Sequence, residues 1–293
     1  MTDADRQRAE ALHEQAQALE DDEAALAMYR EVLALDPARP ETHYNIGLIY
    51  KYQGRWQESL EHNRQSVALD PSDEAANWNL AIAATALREW RTAREVWRRL
   101  GLEIEEGDAP IEDDFGITPV RLNPDDRGEV VWARRIDPVR ARIENVPFPE
   151  SGFRRGDVVL HDGAPVGHRV SGGHTYSVFN VLELFEPSMQ GTWVAEVLAD
   201  APAEVEALCQ ALDVAGASAE DWTTNVRALC RQCSEGTPHE DHDHELDGES
   251  DGRYRLGIAP QDPVQAEKAL REWDAGRERL LSFECVLSGT IPH

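Results

Sequence analysis

The strongest constraint on this chain is a repeat. Leu35-Asp36-Pro37 recurs as Leu69-Asp70-Pro71, 34 residues further on, and at the same offset Asn45-Ile46 answers Asn79-Leu80 and Trp56 answers Trp90. A fixed period of this length marks a supersecondary unit that cannot bury its apolar face alone and has to stack on its neighbours. Within the unit the apolar positions keep helical spacing: Tyr44, Leu48 and Tyr52, then, after Gly54, Trp56, Leu60 and Val67. Gly54 breaks one helix and Pro71 follows the end of the next, which is where each residue type is tolerated. The expected unit is helix–turn–helix.

The stretch Tyr44-Asn45-Ile46-Gly47, with Tyr50, Gly54, Trp56, Ser59 and Leu69-Asp70-Pro71, resembles the tetratricopeptide repeat (TPR) family. A looser copy precedes it (Leu12, Ala16, Ala25, Tyr29, Leu33). A third follows (Asn79, Leu80, Ala81, Ala84, Trp90, Ala93), with Arg88 in place of the turn glycine and no closing Asp-Pro. The resemblance implies three helical hairpins within residues 1–104 and a concave surface built from the first helix of each pair. That surface would carry Tyr44, Leu48, Lys51, Tyr52, Trp78 and Ile82, an aromatic and aliphatic groove for a peptide or helix of a partner protein. The alternative is that the same side chains pack against later segments of this chain. No strongly basic groove is present to grip a partner's C-terminal carboxylate.

Charge narrows the partners. Against 29 Lys+Arg stand 56 Asp+Glu, a formal net charge of −27, so no surplus cation exists to neutralise nucleic-acid phosphates or an anionic membrane surface. The expected partner is a protein or peptide, with no nucleic acid and no membrane. The start, Met1-Thr2-Asp3-Ala4-Asp5-Arg6, has neither a basic n-region nor an apolar h-region. The apolar stretch from Leu80 to Leu87 is far too short to span a bilayer. A cytoplasmic protein is expected.

Residues 105–116 read as an acidic linker (Glu105-Glu106-Gly107-Asp108-Ala109-Pro110). Beyond it the hydrophobic period becomes two. Val139, Ala141 and Ile143 alternate with charged residues, Asp162-Gly163 reads as a hairpin turn, and Ser171-Gly172-Gly173 makes the next turn before a strand at Thr175–Glu186. A small antiparallel β-barrel is expected over residues 117–190. His161, His168 and His174 lie near its turns, either as a second metal or catalytic cluster or as scattered surface histidines.

Residues 191–293 alternate strand and helix: a strand at Thr192–Leu198, a helix to Val214, a strand at Gly252–Ala259, a helix to about Gly276 and a strand at Leu280–Leu287. Between the halves, Trp222–Cys230 fits either a strand or a helix opened by Ser218-x-x-Asp221. The strand completes βαββαβ, a ferredoxin-like α+β domain. The whole is a multidomain α + β chain.

The sharpest chemical signal is Cys230-x-x-Cys233 followed by His239, His242 and His244. Two thiolates at this spacing share one side of a tight turn, and the five-residue loop to His239 returns imidazoles to the same place. Cys230, Cys233, His239 and one of His242 or His244 make a closed tetrahedral set of the kind that holds structural zinc. A catalytic zinc, a redox dithiol and an adventitious His-rich tract are the competing readings. There is no phosphate-binding G-x-x-x-x-G-K-[ST], no G-x-G-x-x-G and no H-E-x-x-H. The expected function is adaptor-like or co-chaperone-like binding of a partner through the helical groove. The alternatives are a metal-dependent hydrolase using the Cys/His site, and an acidic nucleic-acid mimic that inhibits a basic protein.

Overall fold

Helices in the first part begin where the sequence supplies a cap. In the computed structural model, which describes residues 2–126, 128–223 and 252–289, Thr2 opens helix α1 (Asp3–Gln17) through a reciprocal capping box with Asp5. Asp21 accepts from the backbone of Glu23 and Ala24 at the start of α2 (Asp22–Leu35). Pro40 occupies the first turn of α3 (Pro40–Tyr52), where its missing N–H costs nothing. Helix α4 (Trp56–Leu69) follows, then α5 (Glu74–Ala86), capped by Asp73, and α6 (Trp90–Arg99). Gly54 turns the chain between α3 and α4 at φ +68°. Arg88 takes the same left-handed conformation, φ +60°, at the equivalent point between α5 and α6.

The chain divides into two units, Met1–Ile111 and Glu112–His293. The first is helical, and successive helices pack as hairpins around Ala16, Leu26, Tyr29, Ile46 and Tyr50. The boundary falls inside the segment read as a linker, of which residues up to Ile111 belong with the helices.

In the second unit β1 (Ile117–Leu122), β2 (Glu129–Arg135), β3 (Arg140–Ile143), β4 (Val158–Ser171) and β5 (His174–Glu186) pair in that order. β5 returns beside β1, and the ring closes. The seam is parallel, over Val120↔Phe179 and Arg121↔Asn180, so the strand set is not antiparallel throughout. Val120, Leu122, Val131, Ala133, Ile143, Val159 and Val181 form its core. Gly172 and Gly173, both at positive φ, make the β4–β5 hairpin turn. Asp162-Gly163 does not. β4 runs straight through it, because β4 pairs with β5 on both sides; the surplus residues bulge, with register shifts between His161, Pro165 and Gly167, and the Asp162 carboxylate accepts from the Gly163 backbone at 2.7 Å.

The second sheet contains β6 (Thr192–Leu198), β7 (Ala217–Asp221), β8 (Arg253–Pro260) and β9 (Leu280–Leu287) in the order β7-β8-β6-β9, with every pairing antiparallel. Helices α7 (Pro202–Val214) and α8 (Pro263–Asp274) connect β6 to β7 and β8 to β9, two interleaved split βαβ units. Ser218 and Asp221 lie in β7 rather than capping a helix, and of the Trp222–Cys230 stretch only Trp222 and Thr223 fall within the described residues. Leu208, Leu212, Leu256, Ile258 and Leu270 form the core between helices and sheet. Val146 and Phe148, from the segment after β3, pack with Val194, Trp222 and Ala259 in a second cluster. Polar contacts reinforce that junction: a Glu220 carboxylate oxygen accepts from Asn145 Nδ2 at 2.8 Å and from the Val146 backbone at 3.0 Å. No described helix is long and apolar enough to cross a membrane.

Candidate partner-binding face

Helix α3 presents Tyr44, Leu48 and Tyr52 at four-residue intervals, so the three share one face. Tyr52 is the most open of them, at 60% exposure; Tyr44 and Leu48 are half-buried. Lys51, expected on the same surface, is buried to 3%. Its ammonium donates to Asn79 Oδ1 at 3.1 Å, a tie from α3 to α5, and lies 4.4 Å from the Tyr52 ring centroid. Trp78 is partly buried and meets Trp97 edge-on at 4.8 Å. Ile82 is fully buried, at 0% exposure, within a run from Ala81 to Thr85 that is buried on every side. Its side chain fills the interior and offers nothing to a partner.

The structure also brings together polar residues that hydrophobic periodicity passes over. His13 Nδ1 lies 2.8 Å from Thr42 Oγ1, and its ring tilts against Tyr29 at 5.4 Å. Between α3 and α4, His43 Nδ1 and His62 Nδ1 are 3.2 Å apart. His43 Nε2 sits 3.2 Å from the Pro37 carbonyl, which only accepts, so that nitrogen carries the proton. In that tautomer His43 Nδ1 accepts, and His62 Nδ1 donates to it. Burial first, and the neighbouring His43 second, push the His62 pKa down to about 4. Helical spacing could have flagged the two rings only if their helices were already known to be adjacent.

In the second unit the three barrel histidines separate. His161 is buried to 1%, and its Nδ1 donates to the Asp162 carbonyl at 2.8 Å. Burial pushes its pKa down to about 4. His168 and His174 are exposed, near the β4–β5 turn. A cleft of about 480 Å³ lies between the two sheets, lined by Trp132, Arg169, Val205, Glu206 and Cys209 among others. Burial raises the Cys209 thiol to about 11, which keeps it protonated and a poor nucleophile. Among the described residues no group of three or more His, Cys, Asp or Glu side chains is placed to hold a metal ion. Cys230, Cys233, His239, His242 and His244 lie outside the described residues.

A family model described as TPR repeat matches residues 18–54, and another described as tetratricopeptide repeat matches residues 40–73. Residues 18–73 are tetratricopeptide repeats. The TPR region therefore includes α2, α3 and α4, with Tyr44, Leu48 and Tyr52. No curated protein matches the chain. Similar solved structures include the Sgt2 TPR domain from Aspergillus fumigatus, at 20% identity and TM-score 0.30. That match covers 31% of this chain and 63% of that one. The second TPR of Spaghetti (RPAP3), solved with an HSP90 peptide SRMEEVD, matches at 22% identity and TM-score 0.32, over 35% of this chain and 100% of that one. MamA matches at 19% identity and TM-score 0.30, over 31% of this chain and 55% of that one. The matched part thus spans less than two thirds of the first and third of these chains.

Proposed function

We propose that this chain is an adaptor whose TPR region binds a segment of a partner protein along α3, with Tyr44, Leu48 and Tyr52 as the contact stripe. The observation that carries the reading is Tyr52: a large aromatic left 60% exposed on a helix of matched TPR sequence, one helical turn from half-buried Leu48. Aromatic side chains supply contact area at low cost in conformational entropy, and their enrichment at interfaces follows from that. The partner is an internal peptide or a helix, as the face lacks a cluster of free cations for a terminal carboxylate: Lys51 is already tied to Asn79.

The test is affinity capture from lysate of the native host with the wild-type chain and with Leu48→Ala/Tyr52→Ala. A partner that binds this face is retained by the first and lost by the second, with unchanged helical dichroism. Retention of every partner by the double variant overturns the reading.

Spacing alone supports a second element. Cys230, Cys233, His239 and one of His242 or His244 would hold a structural zinc that replaces the hydrophobic core a loop of this composition cannot build. Metal content by mass spectrometry on untagged protein should give one zinc per chain, lost in Cys230→Ser. Equal metal in both proteins refutes it. No observation among the described residues favours the hydrolase or nucleic-acid-mimic alternatives.

A further inference from the structure

Three arginines of α6, Arg91, Arg94 and Arg98, stand at helical spacing on one face and hold the chain that follows the helix. Arg94 reads only backbone: Nη1 donates to the Glu105 carbonyl at 2.7 Å, Nε to Ala109 at 2.8 Å and Nη2 to Pro110 at 2.9 Å. Its two neighbours read side chains. Arg91 makes a two-pronged contact with Asp108, at 2.6 and 2.7 Å, and Arg98 pairs with Glu106. Gly107, between the two acids, adopts φ +159°. The segment runs antiparallel to the helix and is turned back by Gly101, at φ +88°, with the Leu102 backbone donating to Trp97 at 3.0 Å.

The grip is specific in chemistry and weak in packing. The paired side chains are largely exposed (71% for Arg91 and 66% for Asp108), and an open cleft of about 480 Å³ remains beside them, lined by polar residues. Exposed ion pairs of this kind contribute little and are screened by salt. What keeps the strap in place is its tether, which makes the contact intramolecular and raises the effective concentration of the acidic segment. An arginine that takes three main-chain carbonyls, flanked by two that take carboxylates two residues apart, is a recognition site for an extended acidic peptide, here filled by the molecule's own residues 105–110.

We infer that the α6 arginine face is a second docking surface, for an extended partner peptide carrying two carboxylates two residues apart, and that the segment Glu105–Pro110 occupies it in cis as a weak internal competitor. Charge complementarity at Arg91 and Arg98 and the backbone grip of Arg94 set that partner's chemistry. The surface lies on α6 and its function does not depend on the α3 stripe, so failure of the Leu48→Ala/Tyr52→Ala test leaves it standing.

The test uses the full chain and a dye-labelled peptide of residues 103–112, followed by fluorescence anisotropy at low salt. Weakening the internal competitor with Glu106→Gln/Asp108→Asn should tighten peptide binding about tenfold over wild type. Adding Arg94→Ala to that variant should remove the gain. A peptide carrying Glu106→Gln and Asp108→Asn should bind about tenfold more weakly to the Glu106→Gln/Asp108→Asn chain. If that variant binds the acidic peptide no more tightly than wild type while its helical dichroism is unchanged, segment 105–110 is only a cap on the last helix and the inference is overturned.

Discussion

A Cβ added to Gly47 would lie 2.5 Å from the side-chain amide nitrogen of Asn63. Here α3 and α4 pack tightly, and two side-chain bonds from α4 hold the contact. Ser59 Oγ donates to the Gly47 carbonyl at 2.8 Å, and Asn63 Nδ2 donates to the Ser59 carbonyl at 2.8 Å. Asn63 is fully buried, so it has nowhere to retreat without breaking that bond. Gly47→Ala should therefore lower stability by about 2–3 kcal/mol, as overpacking of a close-packed interior does. Urea unfolding followed by far-UV dichroism measures it. A loss under 0.5 kcal/mol would mean that the helices separate easily at this point.

Gly54 and Arg88 occupy equivalent turns with φ of +68° and +60°, yet only the first is glycine. A left-handed backbone costs a residue with a Cβ about 1 kcal/mol or more. Replacing Arg88 by Gly should raise stability by about 0.5–1 kcal/mol, the strain relieved minus the extra entropy of an unfolded glycine. The reverse change, Gly54→Ala, should cost about 1 kcal/mol through the backbone alone, because nothing lies within 4 Å of the added carbon. The two midpoints should move in opposite directions. Movement in the same direction refutes the strain account.

These two turns also show how far the sequence can be read. The repeat was legible because its breaks are local: Gly54 turns the chain after one helix and Pro71 follows the end of the next, as their chemistry dictates. The hairpin at Gly172-Gly173 was legible for the same reason. Asp162-Gly163 carries an equally strong local signal, but the pairing of β4 with β5 on both sides overrides it and leaves a bulge. Ile82 and Lys51 share a helical face with groove residues, while their burial depends on how many neighbours surround α5, which periodicity does not encode. The His43–His62 pair joins two helices through polar atoms, so no apolar pattern could reveal it.

Acid should loosen the helical unit through His62. Its folded pKa, about 4, lies below the ordinary 6.5, so the unfolded chain binds the proton more readily. The associated stability is complete above about pH 6.5 and is lost as pH falls toward 4. The contribution is on the order of 1–2 kcal/mol after allowance for the part of the ring that water reaches. Beside burial, His43 and Arg30 push the His62 pKa down, and Glu61 and Glu58 push it up. His62→Gln should flatten the fall in urea midpoint between pH 7 and pH 5. An unchanged slope would assign the acid sensitivity elsewhere. His161 obeys the same sign in the second unit, and its ring nitrogen resonances should remain those of neutral imidazole at pH 5.

Gly257 and Trp222 offer a test of how the second unit is held together. A Cβ on Gly257 would fall 2.0 Å from two carbons of the Trp222 indole, which is itself 6% exposed, packed against Phe148 at 5.1 Å between ring centroids and bonded through Nε1 to the Val146 carbonyl at 3.2 Å. A rigid bicyclic ring cannot absorb that overlap by a small rotamer change. Gly257→Ala must expel it or bend β8. Either substitution alone, Gly257→Ala or Trp222→Ala, should cost about 3–4 kcal/mol, the first by overlap and the second by the cavity left behind. Once the indole is gone the methyl has room, so Gly257→Ala in the Trp222→Ala background should cost less than about 1 kcal/mol, a coupling of about 2–3 kcal/mol in the double-mutant cycle. Additive losses would mean that the glycine serves the backbone of β8 rather than the ring. The junction between the barrel strands and the second sheet would then rest on Glu220 and its contacts with Asn145 and Val146 instead.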